Sequence, residues 1–349
     1  MVWLGQMTDS SQSAILHADD FSVPPPSKPF YHDGIHSWVF SRYEDVHAAF
    51  YHPALQPGGS VEDMPESSRT TAALRSQAQN ALSPAQLDKW RSRLEQSAQP
   101  IISGLALDGP VDLMSECIRP WTLQVAFEVT HADPSQTKRL CEMAALISSA
   151  AADPRDPDLK VRARLADKEL QQLFPDPQSP VAGPAFVALS QTLAALLSSG
   201  WLALLQHPAE LARLHSYPDL AAAAVEELLR FCAVPRTLSR IAMADTNTSG
   251  VTVPCGGRVV LDVASANRDP NRFADPNRLD LSRRSGGHFA LGAGPHACVG
   301  ASLIRMAMEV ATRAFAVAFG WAGLYGSVEW RGGSGFRWPD VIPVELKNA

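Results

Sequence analysis

The chain has 349 residues, of which 46% are hydrophobic and 19% charged, so it is long enough to bury a large core. Its formal net charge of -6 at pH 7 argues against the basic surface that nucleic-acid binding needs. The five cysteines form no CxxC pair, which argues against a disulfide framework or a structural zinc site and favours a reducing cytoplasm.

The N-terminal segment predicts a loose lead-in followed by regular structure. Residues 1–29 are polar and rich in proline, and we expect them to be loosely ordered. They lack a basic start before an apolar stretch, so no secretory signal is expected. Residues 38–40 predict a short strand, and a helix follows from Tyr43. We expect residues 30–349 to form a single domain.

Helical patterns dominate the next part of the chain. After a loop at residues 65–69, a helical pattern covers residues 70–105. A new helix begins within it at Ser83-Pro84, because serine can cap a helix and proline can open one. Further helices are predicted over residues 120–129, 135–150 and 159–174.

Residues 185–205 form the most apolar segment, with 15 of 21 residues Ala, Val, Leu, Phe or Trp. A transmembrane helix has this length and composition. Polar groups interrupt the segment at residues 190–192 and 198–200, however, and this favours the central core helix of a soluble protein. We therefore expect no membrane partner.

The C-terminal part changes character after a helix predicted at residues 221–231. Residues 251–254 and 258–261 alternate like two short strands, and residues 267–287 are irregular. A final helix is expected over residues 300–319. The predicted fold class is therefore mainly α with small β-sheets.

The most informative segment is the glycine-rich loop at residues 288–300, which brings one cysteine to the start of the final helix. Backbone amides and the helix dipole favour a thiolate over a thiol at such a position. The glycines would let the backbone pass close to a flat group. Taken alone, a loop with a buried structural cysteine would explain the same pattern.

This loop resembles the haem-binding loop of cytochromes P450, Phe-x-x-Gly-x-[Arg/His]-x-Cys-x-Gly. Its spacing is matched by Gly294, His296, Cys298 and Gly300. Gly292 lies where the family often has a further glycine, and Leu291 replaces the leading phenylalanine, which would alter the tuning of the iron but not its ligation. The resemblance implies a P450-like fold in which Cys298 is the axial ligand of haem b.

Two further motifs resemble the same family. Glu227 and Arg230 fit its Glu-x-x-Arg, a pair that is common on solvated helices and weak alone. Residues 273–278 resemble its meander motif, and the resemblance implies a structural triad of Glu227, Arg230 and Arg278. The other four cysteines, Cys117, Cys141, Cys232 and Cys255, are expected to be packing residues.

The resemblance also implies contacts to the two haem propionates. Arg240 matches the family position whose guanidinium holds a propionate, and an arginine fork suits a carboxylate. His288, His296 and Arg75 fit the same role. The family usually has a histidine four residues before the arginine that corresponds to Arg75, and this chain has Thr71 there. One propionate contact is therefore expected to be weaker or differently made.

The oxygen-handling helix departs from the family pattern. Residues 188–192 align with Ala-Gly-x-[Asp/Glu]-Thr, and Ala188 and Thr192 fall on one helical face. The hydroxyl of Thr192 is retained. Gln191 replaces the acid and cannot take up and release protons near neutral pH. Leu189 replaces the glycine and would add bulk where the helix normally opens.

The resemblance implies a monooxygenase that oxidises a small organic substrate of specialised metabolism with dioxygen. Its electrons would come from a separate ferredoxin- or flavodoxin-type protein. The altered distal residues leave other hypotheses open: a peroxygenase, a non-oxidative haem dehydratase or isomerase, and a catalytically degenerate haem-binding protein.

The chain is also shorter than a usual bacterial member, mainly between residues 150 and 184, where only one helix fits. The lid over the substrate pocket is therefore expected to be reduced, supplied by proline-rich loops, or completed by a partner chain such as a second copy in a homodimer.

Overall fold

A computed structural model describes residues 26, 28–58, 75–76, 78–79, 82–105, 109–176, 181–284 and 286–347. Almost all of the predicted lead-in, the predicted loop at residues 65–69 and the position of Thr71 lie outside the described residues. Arg75 lies inside them, in a short helical stretch.

Helices carry most of the described chain, as the sequence predicts. Their bounds are α1 Tyr43–Tyr51, α2 Pro84–Ser103, α3 Arg119–Thr130, α4 Thr137–Ala152, α5 Pro157–Gln171, α6 Ala182–Val187, α7 Leu193–Gln206, α8 Pro208–Ser216, α9 Ala221–Cys232, α10 Val263–Ala266 and α11 Ala301–Ala318. Two π-helical turns, Met114–Ile118 and Ala188–Thr192, run without a break into α3 and α7. The sequence patterns missed α8 and both π turns.

Short strands form small sheets around this helical body. They are β1 Phe30–His32, β2 Ser37–Phe40, β3 Leu55–Pro57, β4 Val111–Asp112, β5 Thr237–Ala242, β6 Thr246–Thr248, β7 Val251–Val253, β8 Arg258–Asp262, β9 Trp321–Leu324, β10 Glu329–Gly332, β11 Arg337–Val341 and β12 Pro343–Lys347. The largest sheet has the order β1-β2-β8-β5-β3, with β2 and β8 parallel and the other neighbours antiparallel.

The apolar segment at residues 182–206 is long and apolar enough to cross a membrane, but 78% of its most apolar stretch is buried inside the fold. Every residue from Leu193 to Leu205 in α7 is buried. Trp201 stacks on Phe315 of α11 at 4.3 Å between ring centroids, and its indole N–H donates to Thr312 at 3.1 Å. The prediction of a central core helix is confirmed.

Between α4 and the apolar segment that begins at residue 182, the described chain has one helix, α5, as the sequence predicts. Helices α4 and α5 pack on one another, and α4 also packs on the π turn Ala188–Thr192. The loop at residues 333–335 lies against the end of α4, because the Gly335 N–H donates to the carbonyl of Ala152 at 2.9 Å.

Candidate active site

The loop before α11 is held in one shape by its backbone. Gly292 and Gly294 have φ angles of 68° and 67°, the left-handed region that favours glycine. A Cβ at Gly294 would lie 2.7 Å from the carbonyl oxygen of Phe50 in α1, so the chain can pass here only without a side chain. The N–H of Cys298 donates to the carbonyl of Leu291 at 2.8 Å and closes the loop.

Cys298 is presented at an exposed position immediately before α11. Desolvation raises the pKa of its thiol, whereas the Gly300 N–H and the nearby charges of Arg305 and Arg75 lower it. Desolvation is the larger effect, so the pKa of Cys298 lies above its ordinary value, while the backbone donor and the two cations partly offset that rise. A metal that binds the thiolate would supply the remaining stabilisation. The position fits the predicted axial ligand.

The other cysteines differ from Cys298. Burial raises the pKa of Cys117 to about 12 and that of Cys232 to about 12, which keeps both as inert thiols. Cys141 is half-buried. Cys255 was expected to be a packing residue, and this is wrong, since it lies exposed in the turn between β7 and β8.

Three basic side chains converge beside the cysteine loop. Arg240 is 4% exposed, its Nε has no hydrogen-bond partner, and burial lowers its pKa to about 10. Burial, and then the charges of Arg240 and Arg75, lower the pKa of His296. Arg75 donates to the carbonyl of Ala297 at 2.6 Å.

A buried cation without an anion is costly, and this cluster contains one. None of the ion pairs found among the described residues neutralises Arg240, Arg75 or His296. Two carboxylates placed here would supply the missing anions. The cluster therefore fits the propionates of a haem that Cys298 would ligate.

His288 was expected to join these propionate contacts, and the structure corrects this. Its Nε2 lies 3.2 Å from a carboxylate oxygen of Glu226, its Nδ1 accepts from the Ala290 N–H, and its side chain is 1% exposed. Both ring nitrogens are therefore already used. Arg305 donates to the same carboxylate at 2.6 Å. Sequence patterns missed Glu226 and Arg305, although the pair Glu226-Glu227 in α9 was visible.

The predicted triad is confirmed in two members and wrong in the third. Arg230 donates to both carboxylate oxygens of Glu227 at 2.8 Å, and both side chains are fully buried. The third cation is Arg283, whose Nε donates to Glu227 at 3.0 Å. Arg278 is exposed and contributes its backbone carbonyl, which accepts from Arg230 and Arg283. Arg283 lies five residues after the end of the meander motif at residues 273–278. This second arginine was the one feature of the sequence that could have identified the third member of the triad.

The predicted distal residues lie on the π turn Ala188–Thr192. Such bulges open the regular helix and are common at functional sites. Ala188, Gln191 and Thr192 are half-buried and form the more open face of this turn. The π turn thus occupies the positions where the family pattern places its glycine.

Leu189 and Ser190 lie on the opposite, buried face of the turn. Leu189 is 3% exposed and belongs to the main hydrophobic core, and the hydroxyl of Ser190 donates to the carbonyl of Phe186 at 2.7 Å. The expectation that Leu189 adds bulk at the open face is therefore wrong. Gln191 is therefore the distal residue whose difference from the family pattern matters chemically, because a carboxamide cannot take up and release protons near neutral pH.

Comparisons with known proteins agree with this site. A family model described as cytochrome P450 matches residues 218–322. The chain is 30% identical over 315 residues to the vitamin D(3) 25-hydroxylase of Pseudonocardia autotrophica, covering 78% of each protein. It is 30% identical over 362 residues to the nocardicin C N-oxygenase of Nocardia uniformis subsp. tsuyamanensis, covering 88% of this chain and 89% of that one.

The fold agrees as well. The crystal structure of CYP164A2 from Mycobacterium smegmatis with econazole bound matches with a TM-score of 0.85 at 20% identity, covering 97% of this chain and 100% of that chain. At this identity the likeness concerns the fold. The two relatives, each 30% identical over more than two thirds of this chain, show that the chain belongs to the cytochrome P450 family of haem-thiolate monooxygenases, which bind haem b.

Proposed function

We propose that this P450 inserts one oxygen atom from dioxygen into a small organic substrate of specialised metabolism. The other oxygen atom leaves as water, with two electrons and two protons supplied from outside. The single observation that carries the proposal is the buried guanidinium of Arg240 beside the cysteine loop. It has no carboxylate partner among the described residues, and its Nε has no hydrogen-bond partner, although its Nη1 donates to the carbonyl of Ser239. By their names, the two relatives act on vitamin D(3) and nocardicin C, which supports a small organic substrate.

The proximal residues would hold the cofactor in a fixed orientation. Cys298 would supply the axial thiolate, stabilised by the Gly300 N–H. Arg240, Arg75 and His296 would bind the propionates. Gly292 and Gly294 have no side chains and would let a flat ring lie directly against the backbone of the loop. The bound haem supplies the oxygen-activating iron.

On the distal side, Thr192 and Gln191 would position water and substrate. The Oγ1–H of Thr192 can donate one hydrogen bond toward the iron side and accept another from water. The carboxamide of Gln191 can orient that water but cannot release a proton, so protons must reach Thr192 along water.

One observation favours a second candidate function. The π turn Ala188–Thr192 contains no ionisable side chain, so proton delivery depends on neutral groups. An oxidant that already carries both protons, such as hydrogen peroxide, removes that requirement. A peroxygenase, or a rearrangement that needs no oxidant, is therefore the alternative.

Two measurements test the proposal. The reduced protein with carbon monoxide should show the red-shifted Soret band of thiolate ligation, and absence of that band would contradict it. Turnover should then require a ferredoxin or flavodoxin, its reductase and dioxygen. Turnover with peroxide alone would select the peroxygenase.

We further propose that residues 30–349 act as one domain in the cytoplasm, with the electron donor as a separate protein. A ferredoxin- or flavodoxin-type protein is an expected partner because such proteins deliver single electrons. Size-exclusion chromatography with light scattering tests whether the chain is a monomer or a homodimer in which a second copy completes the lid.

A further inference from the structure

A cavity of about 270 Å³ lies between the second half of α7, the end of α9 and the hairpin of β10 and β11. Ser199 and Gln206 line it from α7, Phe231 lines it from α9, and Trp330 and Arg337 line it from the hairpin. Of the described residues that line the cavity, none belongs to the cysteine loop or to the π turn. The cavity is therefore separate from the proposed haem site.

The charged groups in this lining are all cations. Three guanidinium groups, those of Arg236, Arg268 and Arg337, line the cavity, and the described lining includes no Asp or Glu. Burial lowers the pKa of Arg268 to about 10, and the charge of Arg236 acts in the same direction. The carboxylate of Glu227 opposes this shift but is held inside the buried triad. Like charges repel each other, and an anion in the cavity would relieve this repulsion.

Aromatic rings hold two of these guanidinium groups in place. Arg268 lies over Phe231 at 4.1 Å from the ring centroid, and Arg337 lies over Trp330 at 4.6 Å. Arg268 also donates to the carbonyl of Phe231 at 2.7 Å, and the Arg337 N–H donates to the carbonyl of Val234 at 3.2 Å. Groups that are already ordered lose less conformational freedom when a ligand binds, so this arrangement favours binding.

The wall that α7 contributes contains a hydroxyl without a partner. Ser199 is 8% exposed, and its Oγ makes no hydrogen bond within the described part of the chain. The neighbouring Ser198 shows the usual arrangement in a helix, because its hydroxyl donates to the carbonyl of Ala195 at 3.1 Å. A buried polar group without a partner is costly. An acceptor oxygen in the cavity would complete the hydrogen bonding of Ser199.

The rest of the lining is apolar and leaves room for more than a simple anion. It includes Leu202, Ala203, Ala233 and the ring of Trp330, a residue that is 48% exposed. A water molecule occupies about 30 Å³ in the liquid, so the cavity has room for about nine groups of that size. Phosphate has five heavy atoms. An anion that fills the cavity would therefore carry an organic part that lies against these side chains.

We propose that this cavity binds a phosphate monoester of a small apolar molecule. The phosphate would accept hydrogen bonds from Arg236, Arg337 and Ser199, while the organic part would lie against Leu202 and Trp330. A phosphate monoester has three terminal oxygens and nearly two negative charges, and so matches three cations and a hydroxyl better than a carboxylate does. The inference goes beyond the proposed function, because the reaction at the haem uses no residue of this cavity.

The test compares three anions on the haem-loaded protein in a buffer without phosphate. Isothermal titration calorimetry measures the dissociation constants of phenyl phosphate, inorganic phosphate and benzoate. We expect phenyl phosphate to bind most tightly, because it alone has both the phosphate and a ring. Equal affinity for inorganic phosphate would overturn the organic part of the proposal, and equal affinity for benzoate would overturn the choice of phosphate.

Substitutions then locate the site. Arg337→Gln should weaken binding of phenyl phosphate about tenfold, because it removes a charged donor, and Ser199→Ala should weaken it about threefold. Arg337→Lys keeps the charge and should restore part of the loss. Arg331→Gln is the matched control, because Arg331 is exposed next to Trp330 on β10 and does not line the cavity. It should leave the dissociation constant unchanged.

Two outcomes would contradict the location of the site. Unchanged affinity in both Arg337→Gln and Ser199→Ala would place the ligand elsewhere. A shift of the Soret band during the titration of wild type with phenyl phosphate would place it at the haem. We expect the band to stay where it is.

Discussion

The two sides of the proposed haem site differ in how they are held. On the cysteine side, polar contacts from distant elements fix the loop: Arg75 bonds to Ala297, Asn267 accepts from the Phe289 N–H, and Glu226 holds His288. On the other side, the π turn Ala188–Thr192 carries neutral side chains alone. Iron ligation on the cysteine side would thus depend on a network of charged and polar contacts. The reaction on the distal side would depend on the uncharged side chains of Gln191 and Thr192.

This difference predicts different responses to substitution. Changes on the cysteine side should affect cofactor binding and stability together, because the same bonds serve both. Changes on the distal side should alter the reaction and leave the fold intact.

The largest effect is expected for Cys298→Ser. A serine hydroxyl does not supply a thiolate, so the carbon monoxide complex should lose its red-shifted band and turnover should stop. Cys255→Ser is the control, since Cys255 is an exposed cysteine in a distant turn. A Cys298→Ser protein that retains the band would show that another group ligates the iron.

The next effect concerns the triad. Arg283→Ala removes a charged hydrogen bond to the fully buried carboxylate of Glu227, and should lower the free energy of unfolding by about 2 kcal/mol. Arg278→Ala should cost well under half as much, because the Arg278 side chain is exposed and its backbone carbonyl is kept. Urea unfolding of both variants measures the difference. Equal losses would restore Arg278 to the triad.

The arginine that completes the triad shows which features the sequence could predict. Helices such as α2 and α11 follow from apolar spacing and from local signals like Ser83-Pro84, so their bounds were found within a few residues. Residues 267–287 have no such period. Their path depends on turns, including Asp275 with a φ of 45°, so spacing could not decide between Arg278 and Arg283.

The candidate site shows the same limit. Cys298, Gly292 and Gly294 were predictable because a short motif specifies a local loop. The partner of His288 is 62 residues away in the chain, and that contact is set by the packing of α9 beside the loop. The burial of Leu189 depends on which face of the helix the π turn exposes, which an ideal helical period does not give.

On the distal side, Gln191→Asp should shift the balance between oxidants. An aspartate can pass protons to water beside Thr192, so dioxygen-dependent turnover should rise about tenfold, while peroxide-driven turnover should change little. Gln191→Asn is the control, because it shortens the side chain and stays neutral. Both turnover rates and the unfolding midpoint are measured. Unchanged turnover with dioxygen would show that water and Thr192 already suffice.

The smallest effect tests the cysteine side by pH. Burial alone would raise the pKa of Glu226, but hydrogen bonds from His288 and Arg305 lower it to about 2, below its ordinary value of about 4.5. The folded state therefore gains stability above about pH 4.5, and loses that gain as the pH falls toward about 2.

Because the carboxylate is one-third exposed and screened by solvent, we expect this gain to be about 1 kcal/mol. Glu226→Gln should remove it and flatten the acid limb of stability against pH. Arg305→Gln should remove part of it, and the double variant should resemble Glu226→Gln, since both changes break one network. Urea unfolding at several pH values measures all three. Additive losses would show that Glu226 and Arg305 act independently, and that the cysteine loop is not anchored through their shared contact.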